Sequence, residues 1–387
     1  MRPAQWISFA LLCLLPGAAM AANPGHAEAP TVAASSVFRI KTVATLNSPW
    51  AMVFLPDGRL LVTQKSGELR TVDPEGVVSD PIQGIPAVAF NGQNGLLDVA
   101  LHPKFAENRL VYLSYAEPGP RGASGLAVGR GRFVNGVIKG FEVIFRDGEK
   151  VGAGAGHMAG RLVFGLDGVL YVSSGERQMG SPAQSMTSIK GKVLRLTPTG
   201  KPLKSNPFLD GNPATDAIWT LGHRNPLGMA LDPAGRLWQH ENGPQGGDEL
   251  NIVTRGANYG WPVVSNGTNY GDGPGVDTIP DHDTHPEFAA PKVWWNPSVA
   301  PAGLMFYTGA MFPAFNGNAF LGALAGSALI RVTVDGEVAT ETVRYDMGTR
   351  IREVEQAPDG AIWLMEDGGS GRLMRLTPRR SSAAAGQ

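Results

Sequence analysis

Apolar residues in this chain gather in short runs behind tight turns, and nowhere hold a long helical period. The pattern repeats: Leu55-Pro-Asp-Gly-Arg-Leu-Leu-Val-Thr63, Gly165-Leu-Asp-Gly-Val-Leu-Tyr-Val-Ser173, Asp232-Pro-Ala-Gly-Arg-Leu-Trp-Gln-His240 and Ala357-Pro-Asp-Gly-Ala-Ile-Trp-Leu-Met365. An Asp-Gly pair tolerates the positive φ of a two-residue hairpin loop, and the β-branched, aromatic and aliphatic run behind it predicts a strand. Weaker copies lie at His102 to Tyr115 and at Phe315 to Leu324. Downstream, Gly67-Glu-Leu-Arg70, Gly191-Lys-Val-Leu-Arg-Leu196, Ser327-Ala-Leu-Ile-Arg-Val332 and Gly371-Arg-Leu-Met-Arg-Leu376 predict the next strand of each unit. Radial repetition of such units predicts an all-β fold, a six-bladed β-propeller with long top-face loops; a two-sheet sandwich is the alternative. At roughly 60 residues per blade the units exceed compact propeller repeats of about 40 to 50, so the surplus belongs to loops. The widest gap holds Ser265 to Pro291, with Asp272, Asp277, Asp281, Asp283 and Glu287.

Composition agrees with many short strands: Gly 51 and Pro 30, with charged residues at only 17%. The chain opens with Arg2, an apolar run from Trp6 to Leu15, and Ala19-Met20-Ala21. That order predicts a secretory signal over residues 1–21, cleaved after Ala21, and an exported, periplasmic protein. The run is shorter than the about 20 residues a membrane span needs. Residues 22–36 are expected to form a flexible leader, 37–378 a single catalytic domain and 379–387 a flexible tail. The only cysteine, Cys13, lies in the signal, so thiol catalysis and zinc-thiolate sites are excluded from the mature chain. A net charge of −1 gives no pull toward nucleic acid or anionic lipid and favours a small neutral partner.

Four stretches carry candidate chemistry. In Gly152-Ala-Gly-Ala-Gly-His157 a neutral imidazole can accept a proton from an alcohol, or merely cap a turn. Arg224-Asn225 can hold a carbonyl oxygen or developing oxyanion, or Arg224 can be a structural ion-pair partner; His223 beside it is assigned to packing. Asn242-Gly-Pro-Gln-Gly-Gly-Asp248-Glu249-Leu-Asn251 offers carboxylate, amide and carbonyl oxygens suited to Ca²⁺ without EF-hand spacing, or is a solvated acidic turn. Arg350-Ile-Arg352 places two cations on one strand face, to grip an anionic cofactor or to form a surface ladder. Gln93, between glycines, taken alone closes a turn.

Taken in order, Gly92-Gln-Asn-Gly-Leu-Leu97, His157-x-x-Gly-Arg-Leu162, Gly191-Lys-Val-Leu-Arg-Leu196, Gly222-His-Arg-Asn-Pro226, Gly243-Pro-x-Gly-Gly-Asp-Glu-Leu-Asn251, Asn258-Tyr-Gly-Trp-Pro262 and Arg350-Ile-Arg352 resemble the soluble pyrroloquinoline quinone (PQQ)-dependent aldose sugar dehydrogenases, the glucose/sorbosone dehydrogenase family. The resemblance runs from about Leu46 to Pro378. It implies oxidation of aldoses at the anomeric carbon to lactones, with PQQ and Ca²⁺ as cofactors and an unidentified external electron acceptor. It implies His157 as general base and Arg224 as a catalytic stabiliser of charge. Gln93, Arg224, Asn225, Tyr270, Ala323, Leu324, Arg350 and Arg352 are the implied cofactor contacts. The carbonyls of Gly243 and Pro244 are implied ligands of the cofactor's calcium, and Glu249 with Tyr259 of a second, structural calcium.

Two positions depart from the family pattern. Ala325 stands where a lysine commonly meets the cofactor, an expected loss of about ten- to hundredfold in affinity unless another group compensates. Gly156 stands where some members carry an acid, which implies a less firmly oriented base. Two other functions stay open: a calcium-dependent lactone or ester hydrolase, which has no need of Arg350 and Arg352, and a non-catalytic sugar- or partner-binding propeller. A monomer or homodimer is expected.

Overall fold

In the computed structural model of the chain, residues 27, 29–271 and 279–379 are described. The expected signal, Asp272 and Asp277, and the tail from residue 380 lie outside the described residues. Six antiparallel sheets form a ring. Their innermost strands are Pro49–Phe54, Leu96–Leu101, Ala159–Phe164, Pro226–Leu231, Pro301–Phe306 and Ile351–Gln356, which define blades 1 to 6 in chain order. Each inner strand packs on the next and the sixth packs on the first. The fold is the six-bladed β-propeller expected from the repeats, and every repeated turn joins an inner strand to the second strand of its own blade.

The ring closes through the start of the chain. Phe38–Leu46 pairs with Gly371–Pro378 and becomes the outer strand of blade 6, so residues more than 300 apart in sequence share one sheet. Part of the expected flexible leader is also ordered. Thr31–Ala33 adds a parallel strand to the edge of blade 5 at Arg344 to Asp346, followed by the single turn Ala34–Val37. Burial of Ala34 and Phe38 in an aromatic cluster with Phe312, Phe315 and Tyr345 holds this segment down.

One irregularity recurs in all six blades. The pairing between inner and second strand shifts by one residue between Pro49 and Ala51, Leu96 and Val99, Ala159 and Leu162, Pro226 and Gly228, Ala302 and Leu304, and Ile351 and Glu353. Each shift is a β-bulge, which re-aims side chains and leaves a backbone group without its ladder partner. Hydroxyls on the second strands meet that need. Thr63 Oγ1 accepts the Ala51 N–H at 3.0 Å and donates to the Leu97 carbonyl of blade 2 at 2.5 Å. Ser114 Oγ does the same for the Asp98 N–H and the Gly160 carbonyl of blade 3. Ser173 Oγ serves the Arg161 N–H and the Pro226 carbonyl of blade 4, each at 2.9 Å. His240 Nε2 donates to the Gly303 carbonyl of blade 5 at 2.9 Å. Each bridge thus satisfies a bulge and fastens neighbouring blades, and a buried N–H left without it would cost about 1–3 kcal/mol.

All six inner strands run the same way along the central channel. Their first residues therefore converge at one mouth, called upper here, and their last residues at the other. Trp50, Leu227 and Arg352, the extra residues of three bulges, are aimed into the upper mouth.

Candidate functional site

The upper mouth is a cavity of about 340 Å³. Gln93, His157, Arg224, Asn225, Gly243, Tyr270, Leu324, Arg350 and Arg352, drawn from loops and one inner strand of five blades, all line it. Four other expected residues do not. Ala323 is a fully buried strand residue whose methyl lies in the core between blades 4 and 5; strand alternation turns only its neighbour Leu324 to the cavity. Pro244 is buried behind Gly243. Glu249 and Tyr259 line a separate small cavity, described below.

His157 sits just ahead of the inner strand of blade 3 on strained backbone, with φ of 49° and with Ala159 at 54°. The facing segment is strained too, with Arg177 at 64° and Gln178 at 61°. Non-glycine residues persist in this region only where surrounding contacts over-determine them. Those contacts are present: the His157 N–H donates to Gln93 Oε1 at 2.8 Å, and the Gly156 N–H donates to Gln178 Oε1 at 2.8 Å. The imidazole Nδ1 donates to Glu176 Oε1 at 2.5 Å, and Glu176 Oε2 accepts the N–H groups of Met179 and Gly180. Burial raises the Glu176 carboxyl, but the hydrogen bonds from His157 and Gly180 outweigh it and hold the group ionised, below its usual range. Burial, with the Arg224 charge in support and Glu176 opposing, pulls His157 below the usual imidazole value. At neutral pH the ring is therefore neutral, with its proton on Nδ1 and a lone pair on Nε2.

This corrects the expectation of a loosely held base. Glu176 orients the ring from 19 residues downstream, and Gly156 packs against the Gln93 amide, whose Oε1 a Cβ there would approach to 2.9 Å. Gln93 accordingly holds the His157 backbone, a task its flanking turn did not disclose.

Across the cavity, the Arg224 N–H donates to Glu241 Oε2, and Glu241 is in turn bonded to His223 Nδ1 at 2.8 Å. His223 is fully buried, as expected of a packing residue, and stacks on Tyr259. The Arg224 guanidinium donates through Nη1 to the carbonyls of Gly243 at 2.6 Å and Asn242 at 3.1 Å, and faces the rings of Trp261 and Tyr270. Arg224 Nε and Asn225 Oδ1 are buried without a hydrogen-bond partner. Unpaired polar atoms in a cavity wall mark places where a ligand completes the bonding.

Asp248, read from sequence as a possible oxygen ligand, is a loop anchor instead. Its buried carboxylate accepts the N–H groups of Gly243, Val299 and Ala300 and the Ser298 hydroxyl, all within 2.9 Å, so its lone pairs are spent on fixing two cavity-lining loops. Glu249 and Tyr259 share a cavity of about 10 Å³ behind Arg224 and Gly243, room for a single water or ion. Burial and the charge of Glu241 push the Glu249 carboxyl well above its usual range. The Tyr259 hydroxyl is committed to the Ile252 carbonyl and the Thr254 N–H. Among the described residues no group of three or more His, Cys, Asp or Glu is placed to hold a metal.

The cavity's third side is cationic. Asp367 Oδ1 accepts from Arg352 at 2.7 and 3.0 Å, and Oδ2 accepts from Arg350 at 3.1 Å. Lys65 lines the same wall. Trp50, Lys65, Glu176 and Asp367 were not singled out from sequence; none lies within a motif that marks it, and Glu176 and Asp367 meet their partners through strand pairing within their own blades.

A family model described as Glucose / Sorbosone dehydrogenase matches residues 46–375. The chain belongs to the glucose/sorbosone dehydrogenase family. It is 40% identical over 344 residues to the aldose sugar dehydrogenase YliI of Escherichia coli, covering 86% of this chain and 91% of that protein. It is 32% identical over 249 residues to quinoprotein glucose dehydrogenase B of Acinetobacter calcoaceticus, covering 58% and 52%. Among solved structures, the apo-form of the soluble aldose sugar dehydrogenase from Escherichia coli matches with a TM-score of 0.82 at 37% identity, covering 88% of this chain and 100% of that one. The PQQ-bound aldose sugar dehydrogenase from Streptomyces coelicolor matches with a TM-score of 0.69 at 28% identity, covering 88% and 98%. This glucose/sorbosone dehydrogenase family member carries its candidate site in the cavity that Gln93, His157, Arg224, Gly243, Arg350 and Arg352 line.

Proposed function

We propose that this family member is an exported PQQ- and calcium-dependent dehydrogenase that oxidises aldoses at the anomeric carbon to lactones. The observation that carries the reading is a single cavity with a neutral, carboxylate-oriented imidazole on one side and an excess of cations on the other. The relatives include a quinoprotein glucose dehydrogenase and a PQQ-bound aldose sugar dehydrogenase, which supports the cofactor.

The residues present fit a planar, multiply anionic group. Arg350, Arg352 and Lys65 answer its carboxylates; the unpaired Arg224 Nε and Asn225 Oδ1 answer its ring substituents. The Gly243 carbonyl already faces a positive charge, the Arg224 guanidinium, and is a hard oxygen donor of the kind Ca²⁺ takes. The Asp248 carboxylate beside it is already engaged by four donors, which leaves the carbonyl as the chain's own oxygen donor at that point. Pro244 would contribute its carbonyl, and Glu249 with Tyr259 would hold the second ion.

When bound, PQQ supplies the two-electron acceptor for the hydride leaving C1, and calcium polarises it. The chain's own part is to move and hold charge. His157 Nε2 takes the proton of the anomeric hydroxyl as C1 loses its hydride, and the ionised Glu176 stabilises the imidazolium that forms. Arg224 is placed to offset negative charge developing opposite His157. The sugar emerges as its lactone, and the electrons pass to an external acceptor. Arg350 and Arg352 in this cavity weigh against hydrolysis of a neutral lactone, which needs no such cations. Among the described residues no helix is long and apolar enough to cross a membrane.

The test is dye reduction by protein loaded with PQQ and Ca²⁺ across a panel of aldoses. Turnover is expected, with His157→Ala lowering it by at least about a hundredfold while PQQ binding changes little. Bound PQQ that no aldose reduces would overturn the reading.

A further inference from the structure

We propose that Lys65 is a third cofactor-binding cation, which together with Arg350 and Arg352 forms a carboxylate-binding seam between blades 6 and 1. This rests on the PQQ reading above and adds to it a residue and a direction for the bound molecule.

Lys65 follows the second strand of blade 1, Leu60–Gln64, and its backbone is pinned on both sides. Its N–H donates to the Ser48 carbonyl at 2.9 Å, and its carbonyl accepts the Leu96 N–H at 3.1 Å. The second bond requires the chain to pass so close at Gly95 that a Cβ there would fall 2.1 Å from the Lys65 oxygen. Lys65 is therefore a fixed point of the cavity wall rather than a loop-tip lysine.

Its side chain is half-buried, and it makes no ion pair or side-chain hydrogen bond among the described residues. Among the described residues Asp367 is the only carboxylate lining this cavity, and both its oxygens are taken by the two arginines. Three cations thus face one anion. Burial and the charges of Arg352 and Arg350 pull the Lys65 ammonium below its usual range, against the partial help of Asp367. A desolvated ammonium beside two guanidiniums is unfavourable unless an anion meets it. The ligand chemistry that answers this wall is a rigid molecule with more than one carboxylate. Its anionic end would rest on the blade 6 and blade 1 seam, leaving the other end toward His157 and Arg224 on blades 3 and 4. The same seam supplies the cation that Ala325 does not: Ala325 sits exposed beside cavity-lining Leu324 and carries no charge.

Equilibrium titration with PQQ, read by tryptophan quenching without any substrate, tests this. Lys65→Met, which keeps the apolar stem, is expected to weaken PQQ about tenfold or more, and Lys65→Arg to restore binding to within about threefold. The neutral trimethyl ester of PQQ is expected to bind wild type and Lys65→Met equally. If wild type binds PQQ and Lys65→Met binds it with the same affinity, the role of Lys65 is wrong while the cofactor reading stands. If wild type itself does not bind PQQ, the cofactor reading fails, and this inference with it.

Discussion

The two mouths of the central channel are cut from the same six strands, yet they manage charge in opposite ways. Among the described residues of the upper mouth, Lys65, Arg224, Arg350 and Arg352 outnumber the single carboxylate Asp367. At the lower mouth Asp98, Glu353 and Glu355 outnumber the single cation Arg161. Arg161 marks the boundary. Its guanidinium stacks beneath Trp50 at 4.2 Å and donates to the Leu227 carbonyl at 2.5 Å, so it lies directly under the floor of the upper cavity. On its other side it pairs with Glu353 and approaches Asp98 at 3.6 Å.

Excess charge of either sign is costly in such surroundings, and the two mouths differ in what relieves it. Below, protons do. Burial and the neighbouring charges of Glu353 and Asp98 push Glu355 up to about 8, and burial raises Asp98 and Glu353 as well. A carboxyl can stay neutral near pH 7 in this way, whereas a guanidinium cannot, so the upper mouth keeps its charge until an anion arrives. Strained backbone and unpaired polar atoms are present at the upper mouth as well. The comparison shows that a count of charged residues does not locate a site; charge that the fold leaves unrelieved does.

Changing Glu176 should break the upper mouth most severely. Glu176→Gln removes the negative charge that supports the imidazolium and is expected to lower kcat/KM by about a hundredfold. Because Glu176 raises the His157 value against burial, its loss should also move the acid limb of the pH–rate profile to lower pH. Wild type should be flat through neutrality, since His157 already titrates below its usual range. An unmoved limb would show that Glu176 serves structure alone.

A smaller and opposite effect is expected below. Glu355 binds its proton more tightly in the folded chain than an ordinary glutamate does when unfolded. Its contribution to stability is therefore full at acidic pH and is lost as pH rises through about 8. Glu355→Gln should remove that loss, raising Tm by roughly 2 °C or more at pH 9 and leaving it nearly unchanged at pH 4. Thermal scans at the two pH values check it, and an equal shift at both would exclude titration as the cause.

What could be read in advance divides along physical lines. The repeated turns, three of them Asp-Gly, and the strands behind them depend on local backbone preference, and all six proved to be the first turn of a blade. His157, Arg224, Arg350 and Arg352 stood in motifs that resemble a family, and the ring brings them to one cavity. The bulges were illegible, because an extra residue such as Trp50 or Leu227 is defined by its pairing partner and not by its own neighbours. Glu176 was missed for the same reason: its role depends on a hydrogen bond to His157 on the facing segment. Asp248 was misread because its carboxylate faces the backbone N–H groups of residues 299 and 300, which only the folded loops bring near. The order in Thr31–Ala33 depends on blade 5, more than 300 residues away.

PQQ affinity compared among wild type, Arg350→Gln at the upper mouth and Glu355→Gln at the lower tests the charge asymmetry most directly. Arg350 is an exposed residue whose removal leaves the Arg352 to Asp367 pair in place, so the fold is not at risk. The account predicts a loss of about tenfold for Arg350→Gln and none for Glu355→Gln. Equal affinity in all three, or a loss confined to Glu355→Gln, would contradict it.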